Sequence, residues 1–123
     1  MADYTVNIDL EPVKRGDKWV GIPVIGPVLI NSAQPAATLA RIKMHFLHPS
    51  GLVFKLDSDS TAERDGPITI SNATTWAASI PETQGFLPLA GDWTWDMEFY
   101  ATGDSNPLTL YKGVITAYAD TTR

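Results

Sequence analysis

Gly91-Asp92-Trp93-Thr94-Trp95-Asp96-Met97-Glu98-Phe99-Tyr100 is the stretch whose reading decides the fold. Trp93, Trp95, Met97 and Phe99 alternate with Asp92, Thr94, Asp96, Glu98 and Tyr100. Successive side chains of an extended chain point to opposite faces, so one face here is large and apolar and the other polar. A helix would scatter the same residues around its circumference. The pattern predicts a half-buried β-strand whose apolar face needs a second sheet to cover it.

Working outward, Arg41-Ile42-Lys43-Met44-His45-Phe46 alternates in the same way, with Ile42, Met44 and Phe46 inward. His48-Pro49-Ser50-Gly51 supplies the residues of a tight turn, and Leu52-Val53-Phe54-Lys55-Leu56 returns, so residues 41 to 56 read as a hairpin. Tyr4, Val6, Ile8 and Leu10 mark a first strand ended by Pro12. A second extended run through Trp19, Val20, Ile22 and Val24 carries Pro23, which cannot donate to a ladder and so belongs at an edge or a break. Gly26-Pro27 punctuates that run before the apolar Val28-Leu29-Ile30, and residues 31 to 37 read as a loop. Ile68-Ile70 and Trp76-Ile80 are short strands about a turn at Ser71-Thr74. Glu82 to Ala90 reads as a connection with room for one helical turn. After a loop at residues 101 to 107, Leu108 to Tyr118 is the closing strand, with Leu108 and Leu110 inward. Beyond Gly113 either Val114 or Ile115 fits the inward face, which predicts a bulge at Gly113. Seven or eight short strands with frequent turn signals and no sustained helical period give an all-β reading, a single antiparallel β-sandwich over residues 1 to 123.

At 123 residues the chain is long enough to bury a core without metal or disulfide staples. It has no cysteine, which excludes disulfides and thiolate metal sites and fits a reducing compartment. The net charge of -5 argues against unspecific binding to nucleic acid or anionic membrane. No apolar run approaches the ~18 residues of a membrane span, and Met1-Ala2-Asp3-Tyr4 has no signal-peptide pattern. A protein of this kind is expected to leave a cell within something larger or by lysis.

Chemistry-bearing residues are sparse. Asp96 and Glu98 share the polar face of the central strand, where a carboxylate pair suits general acid–base work, but side-by-side acids on one strand read first as a soluble outer face. Asp57, Asp59, Glu63 and Asp65 invite a calcium reading. A helix-loop-helix calcium loop needs glycine at its sixth position and an acid at its twelfth, and counting from Asp57 those are Ala62 and Ile68, so the stretch reads as a solvated acidic loop. His45 lies on the outward face of its strand and His48 in the turn, so both read as surface histidines with diverging rings, short of a metal's ligand count. No Gly-x-Ser-x-Gly nucleophile motif accompanies them. Trp76, Trp93 and Trp95 share faces with other apolar residues and read as core, leaving Trp19 and Tyr100 as the exposed aromatics for sugar stacking. Asn72-Ala73-Thr74 matches a glycosylation sequon, meaningful only in a secretory pathway. No catalytic, cofactor-binding or metal-binding residue is assigned, and no cofactor.

Several stretches, in order, resemble a family of small structural proteins of tailed bacteriophages. They are Val13-Lys14-Arg15-Gly16-Asp17, Thr38 to Met44, Pro49-Ser50-Gly51, Asp65 to Ile70, Gly91 to Glu98, Lys112-Gly113-Val114-Ile115 and Thr121-Thr122-Arg123, which together span nearly the whole chain. In that family the central strand reads glycine, any residue, tyrosine, any residue, tyrosine, aspartate. Trp93 and Trp95 replace both tyrosines here, and Ala37-Thr38-Leu39 stands where the family often has Leu-Thr-Gly. The resemblance implies an Ig-like β-sandwich similar to the N-terminal domain of phage upper-baseplate proteins. It further implies a virion component, made in the host cytoplasm and without catalysis, that contacts other virion proteins as a symmetric homo-oligomer.

Two functions compete. The first is a non-enzymatic virion structural protein of the tail, baseplate or neck (an adaptor role), or a capsid decoration protein. It would work through loops and exposed edge strands, for which the first strand and the Pro23-broken second strand are the candidates. The alternative is a carbohydrate-binding β-sandwich module using Trp19 and Tyr100 with loop acids. A small hydrolase finds no coherent residue set.

Overall fold

A computed structural model describes residues 5–119. Tyr4 and Thr121-Thr122-Arg123, to which the sequence assigns roles above, lie outside the described residues. The chain forms ten strands and no helix among them: β1 Val6–Asn7, β2 Val13–Lys14, β3 Ile22–Ile25, β4 Leu39–Leu47, β5 Val53–Asp57, β6 Gly66–Pro67, β7 Thr69–Asn72, β8 Ala77–Ile80, β9 Gly91–Ala101 and β10 Leu108–Tyr118. Seven of these have four or more residues, and the other three are two-residue pieces.

The strands make two sheets. The larger runs β1-β10-β9-β4-β5-β6, with β2 also on β10, and the smaller runs β3-β8-β7. Three strands facing a four-strand β10-β9-β4-β5 core is the B-E-D against G-F-C-C′ arrangement of an immunoglobulin-type sandwich. Alternation in β9 and β4 dictates the packing. Trp93, Trp95, Met97 and Phe99 are buried, and so are Ile42, Met44 and Phe46, in one core with Ile25, Trp76, Ala78 and Ile80 of the small sheet and its margin. With no disulfide to join the layers, aromatic contacts fill the space. Trp19 stacks on Phe86 at 4.2 Å between ring centroids, Phe86 meets Phe46 and Phe54 edge-on, and Trp76 stacks on Phe99 at 6.0 Å.

The hairpin expected over residues 41 to 56 is present as β4–β5, with Leu47 opposite Val53 and Met44 opposite Leu56. β3 pairs only with β8 and its register shifts between Ile22 and Ile25, around Pro23. That strand is an edge, as a missing N–H requires.

Four expectations are corrected. The described residues 5 to 10 of the expected first strand are not one half-buried strand. They lie parallel along β10 as a strap, pairing through Val6–Asn7 and resuming at Val13–Lys14 beyond Pro12, and Val6 stays 51% exposed. The sandwich is therefore antiparallel except for β1 and β2 on β10 and β6 on β5. Glu82–Ala90 contains no helical turn; Thr83 instead exchanges both backbone hydrogen bonds with Trp19, at 2.8 and 2.9 Å. Finally, the irregularity in β10 falls at Leu110, between Thr109 and Tyr111, not at Gly113. It switches the inward set from Leu110 to Ile115 and Ala117 and leaves Leu108 exposed.

Gly113 has a different task. A Cβ there would run into the Ile8 carbonyl, so the strap can lie on β10 only because this position lacks a side chain. Ile8 N–H then donates to the Lys112 carbonyl at 2.7 Å. Gly113→Ala should therefore push the strap off β10, cost about 1–3 kcal/mol in denaturant unfolding, and increase quenching of tryptophan fluorescence as Trp95 becomes wetted. Unchanged stability and quenching would contradict this account of the strap.

Candidate functional site

The outward residues of the large sheet form an organised, mostly polar surface. β9 presents Thr94, Asp96, Glu98 and Tyr100, and the register lines them up with neighbours in rows across the sheet. One row is Val114, Thr94, Leu47 and Val53; the next is Lys112, Asp96, His45 and Lys55; a third is Thr109, Glu98, Lys43 and Asp57. An apolar row thus borders two charged ones. The columns differ in charge: β10 carries Lys112, β9 two carboxylates, β4 the cations Lys43 and Arg41 beside the imidazole of His45, and β5 both Lys55 and Asp57. The face is hollowed into a trough of about 710 Å³, with strap residues Asn7 and Asp9 on one side.

His45 sits in this trough, and burial, reinforced by the Lys43 charge, lowers its pKa from the ordinary value despite Asp96. Tyr100 lies under two cations, with the Arg41 guanidinium 5.8 Å and the Lys43 ammonium 5.5 Å from its ring centre. Arg41 also grips Asp57 with two parallel hydrogen bonds, Nε to Oδ1 at 2.9 Å and Nη2 to Oδ2 at 2.6 Å. Burial alone would raise the Asp57 pKa. The Arg41 hydrogen bonds, the Asp59 N–H and the Arg41 charge outweigh it, and the carboxyl is held below the usual range.

The other sequence-predicted residues do not converge. Asp57 is buried in its ion pair instead of solvated, while Asp59 accepts from Thr61, Glu63 meets Lys55 Nζ at 3.0 Å, and Asp65 accepts the Lys55 N–H. Among the described residues no three His, Asp or Glu side chains come together as a metal site. His48 is a staple. Its Nε2 donates to the Ala90 carbonyl at 2.8 Å, Nδ1 accepts the Ser50 N–H at 3.0 Å, and the ring packs edge-on against Trp93. Asn72 Oδ1 accepts from the N–H groups of Thr74 and Thr75 and shapes the turn before β8. Trp19, expected outside, is buried at 8% exposure in its stack on Phe86, so it and Tyr100 form no joint platform.

Two features escaped the sequence. The Arg41–Asp57 pair was implicit in the hairpin register, which sets position 57 opposite Lys43, one diagonal step from Arg41. The second is an apolar cleft of about 260 Å³ between β3 and the strap, lined by Ile8, Leu10, Ile22, Val24, Met97 and Trp95 among others. Trp76 and Trp93 donate their indole N–H groups to the Ala37 and Leu89 carbonyls, but the buried Trp95 Nε1 has no partner. The most exposed large aliphatics among the described residues are Val24 (72%), which lines that cleft, and Val20 (76%) and Leu29 (65%) on the segments flanking β3.

Comparison with protein-family models, curated proteins and solved structures finds no match to this chain.

The Arg41–Asp57 pair sets an acid dependence. A carboxyl depressed in the folded state, against about 3.9 when unfolded, stabilises fully above about pH 4 and loses that contribution as pH falls through the folded value. Asp57→Asn should cost about 2–3 kcal/mol at neutral pH and flatten the loss of stability on acidification, measured by denaturant titration across the acid range.

Proposed function

We propose that this chain is a non-enzymatic structural protein of a tailed-phage virion, acting through protein–protein contacts in the tail, baseplate or neck or on the capsid surface. The observation that carries the reading is the β3 margin. There an edge strand bonded on one side only coincides with the three most exposed large aliphatics among the described residues. Val24 lies on the unpaired strand itself and Val20 and Leu29 lie on the segments leading into and out of it, so a neighbouring subunit that pairs with this edge can cover exposed aliphatic surface there. Pro23 removes one donor from that edge and so limits indiscriminate pairing. The ordered resemblance to phage structural proteins supplies the setting, since a fold alone does not specify a role.

The glycan-binding alternative has to do without Trp19, which is in the core. The remaining half-buried ring, Tyr100, faces Arg41 and Lys43.

The test is recovery with intact particles. The protein should co-sediment with purified virions at a fixed stoichiometry. Val24→Lys should abolish incorporation while leaving unfolding within about 0.5 kcal/mol of the parent, because Val24 is on the surface. Absence from particles, together with glycan binding by the isolated protein, would replace the reading.

A further inference from the structure

We infer that the outer face of the large sheet is a self-complementary docking surface, on which a second copy of this chain packs face to face about a twofold axis running along the strands between β9 and β4. Self-association of this kind is a property of the isolated chain and does not rest on the virion reading.

The charge columns choose the geometry. A twofold axis parallel to the strands lays β9 of one copy over β4 of the other, and β10 over β5, with the rows in step. Asp96 then faces the second copy's His45, Glu98 faces Lys43, Thr94 faces Leu47 and Val114 faces Val53. Glu98 meets the Lys43 ammonium, Asp96 can accept a hydrogen bond from the His45 imidazole, and the apolar row meets itself. The one like-charged juxtaposition is Lys112 with Lys55, and Lys55 is already held by Glu63 at 3.0 Å. An axis across the strands would instead stack each strand on its own equivalent, setting the β9 carboxylates over one another and the β4 cations Lys43 and Arg41 over their own column, which is repulsive in both. Only the first arrangement satisfies both the signs and the apolar row.

The apolar row leaves material to bury, since Leu47 is 48% exposed and Val114 38%. Four strands at about 4.8 Å spacing and about 30 Å of length outline roughly 500 Å² per copy, at the low end for a specific interface. The dimer is accordingly a weak one whose occupancy grows when copies are concentrated in an assembly.

The experiment is sedimentation equilibrium of the full chain, alone and in charge-swapped mixtures. The parent should show a reversible monomer–dimer equilibrium weakened by salt. Glu98→Lys alone sets the introduced ammonium against Lys43 of the second copy. Lys43→Glu alone sets the introduced carboxylate against the second copy's Glu98. Each should weaken self-association by about tenfold or more. Mixed together, the two variants form two complementary pairs and should associate more tightly than either does with itself. A change confined to the monomer cannot produce that result. Because the chain has no cysteine, a second readout is free of background. Thr94→Cys protein mixed with Leu47→Cys protein should form an interchain disulfide faster than either alone. A parent that stays monomeric to its solubility limit, a mixture no tighter than its components, or disulfide formation without preference for the mixed pair would each overturn the inference.

Discussion

Burial of the inner face of β9 is the constraint on which everything else rests. Trp93, Trp95, Met97 and Phe99 cannot be wetted without losing the largest block of apolar area in the chain, so the strand's inward parity is fixed. Because a strand's side chains alternate with a period of two, fixing that parity also fixes which residues look outward. The rows Val114–Thr94–Leu47–Val53 and Lys112–Asp96–His45–Lys55 are thus consequences of the core. A single-residue slip of β9 against β4 would drive Asp96 and Glu98 inward and undo core and surface together.

Much of this was legible in the sequence wherever alternation was strict. The parity of β9 and β4, the hairpin at Pro49-Ser50-Gly51 and the edge position demanded by Pro23 all follow from local rules, and the structure has them. What escaped were features decided by distant partners. Residues 5 to 10 alternate like a half-buried strand, yet the inner face was already filled by β9 and β10, so they became a strap with Val6 in water. Trp19 was read as exposed by elimination, since the other three tryptophans share a face with an apolar set and it does not stand in so clear an alternation. Its burial depends on Phe86, far along the chain, offering a parallel ring at 4.2 Å. The bulge was expected where glycine stood, but Gly113 answers a steric demand from Ile8 across the sheet, and a leucine takes the irregular position.

The same division holds for the candidate site. Asp96, Glu98 and His45 were each placed on an outer face correctly, but their grouping into charged columns needed the register between β4, β9 and β10, which no single strand encodes. Asp57 looked like one acid among several in a solvated loop. Its burial against Arg41 makes it the hinge between loop and sheet: Ser58 Oγ accepts the Ile42 N–H, and Arg64 donates to the Asp57 carbonyl. Polar residues at strand ends carry information that composition averages away.

The unpartnered Trp95 nitrogen has a consequence for the strap above it. Sealing a donor from water without an acceptor costs on the order of 1–3 kcal/mol, and that penalty falls on the arrangement that seals it. Lifting residues 6 to 10 would return that N–H to water, which offsets part of what the lost ladder bonds of the strap would cost.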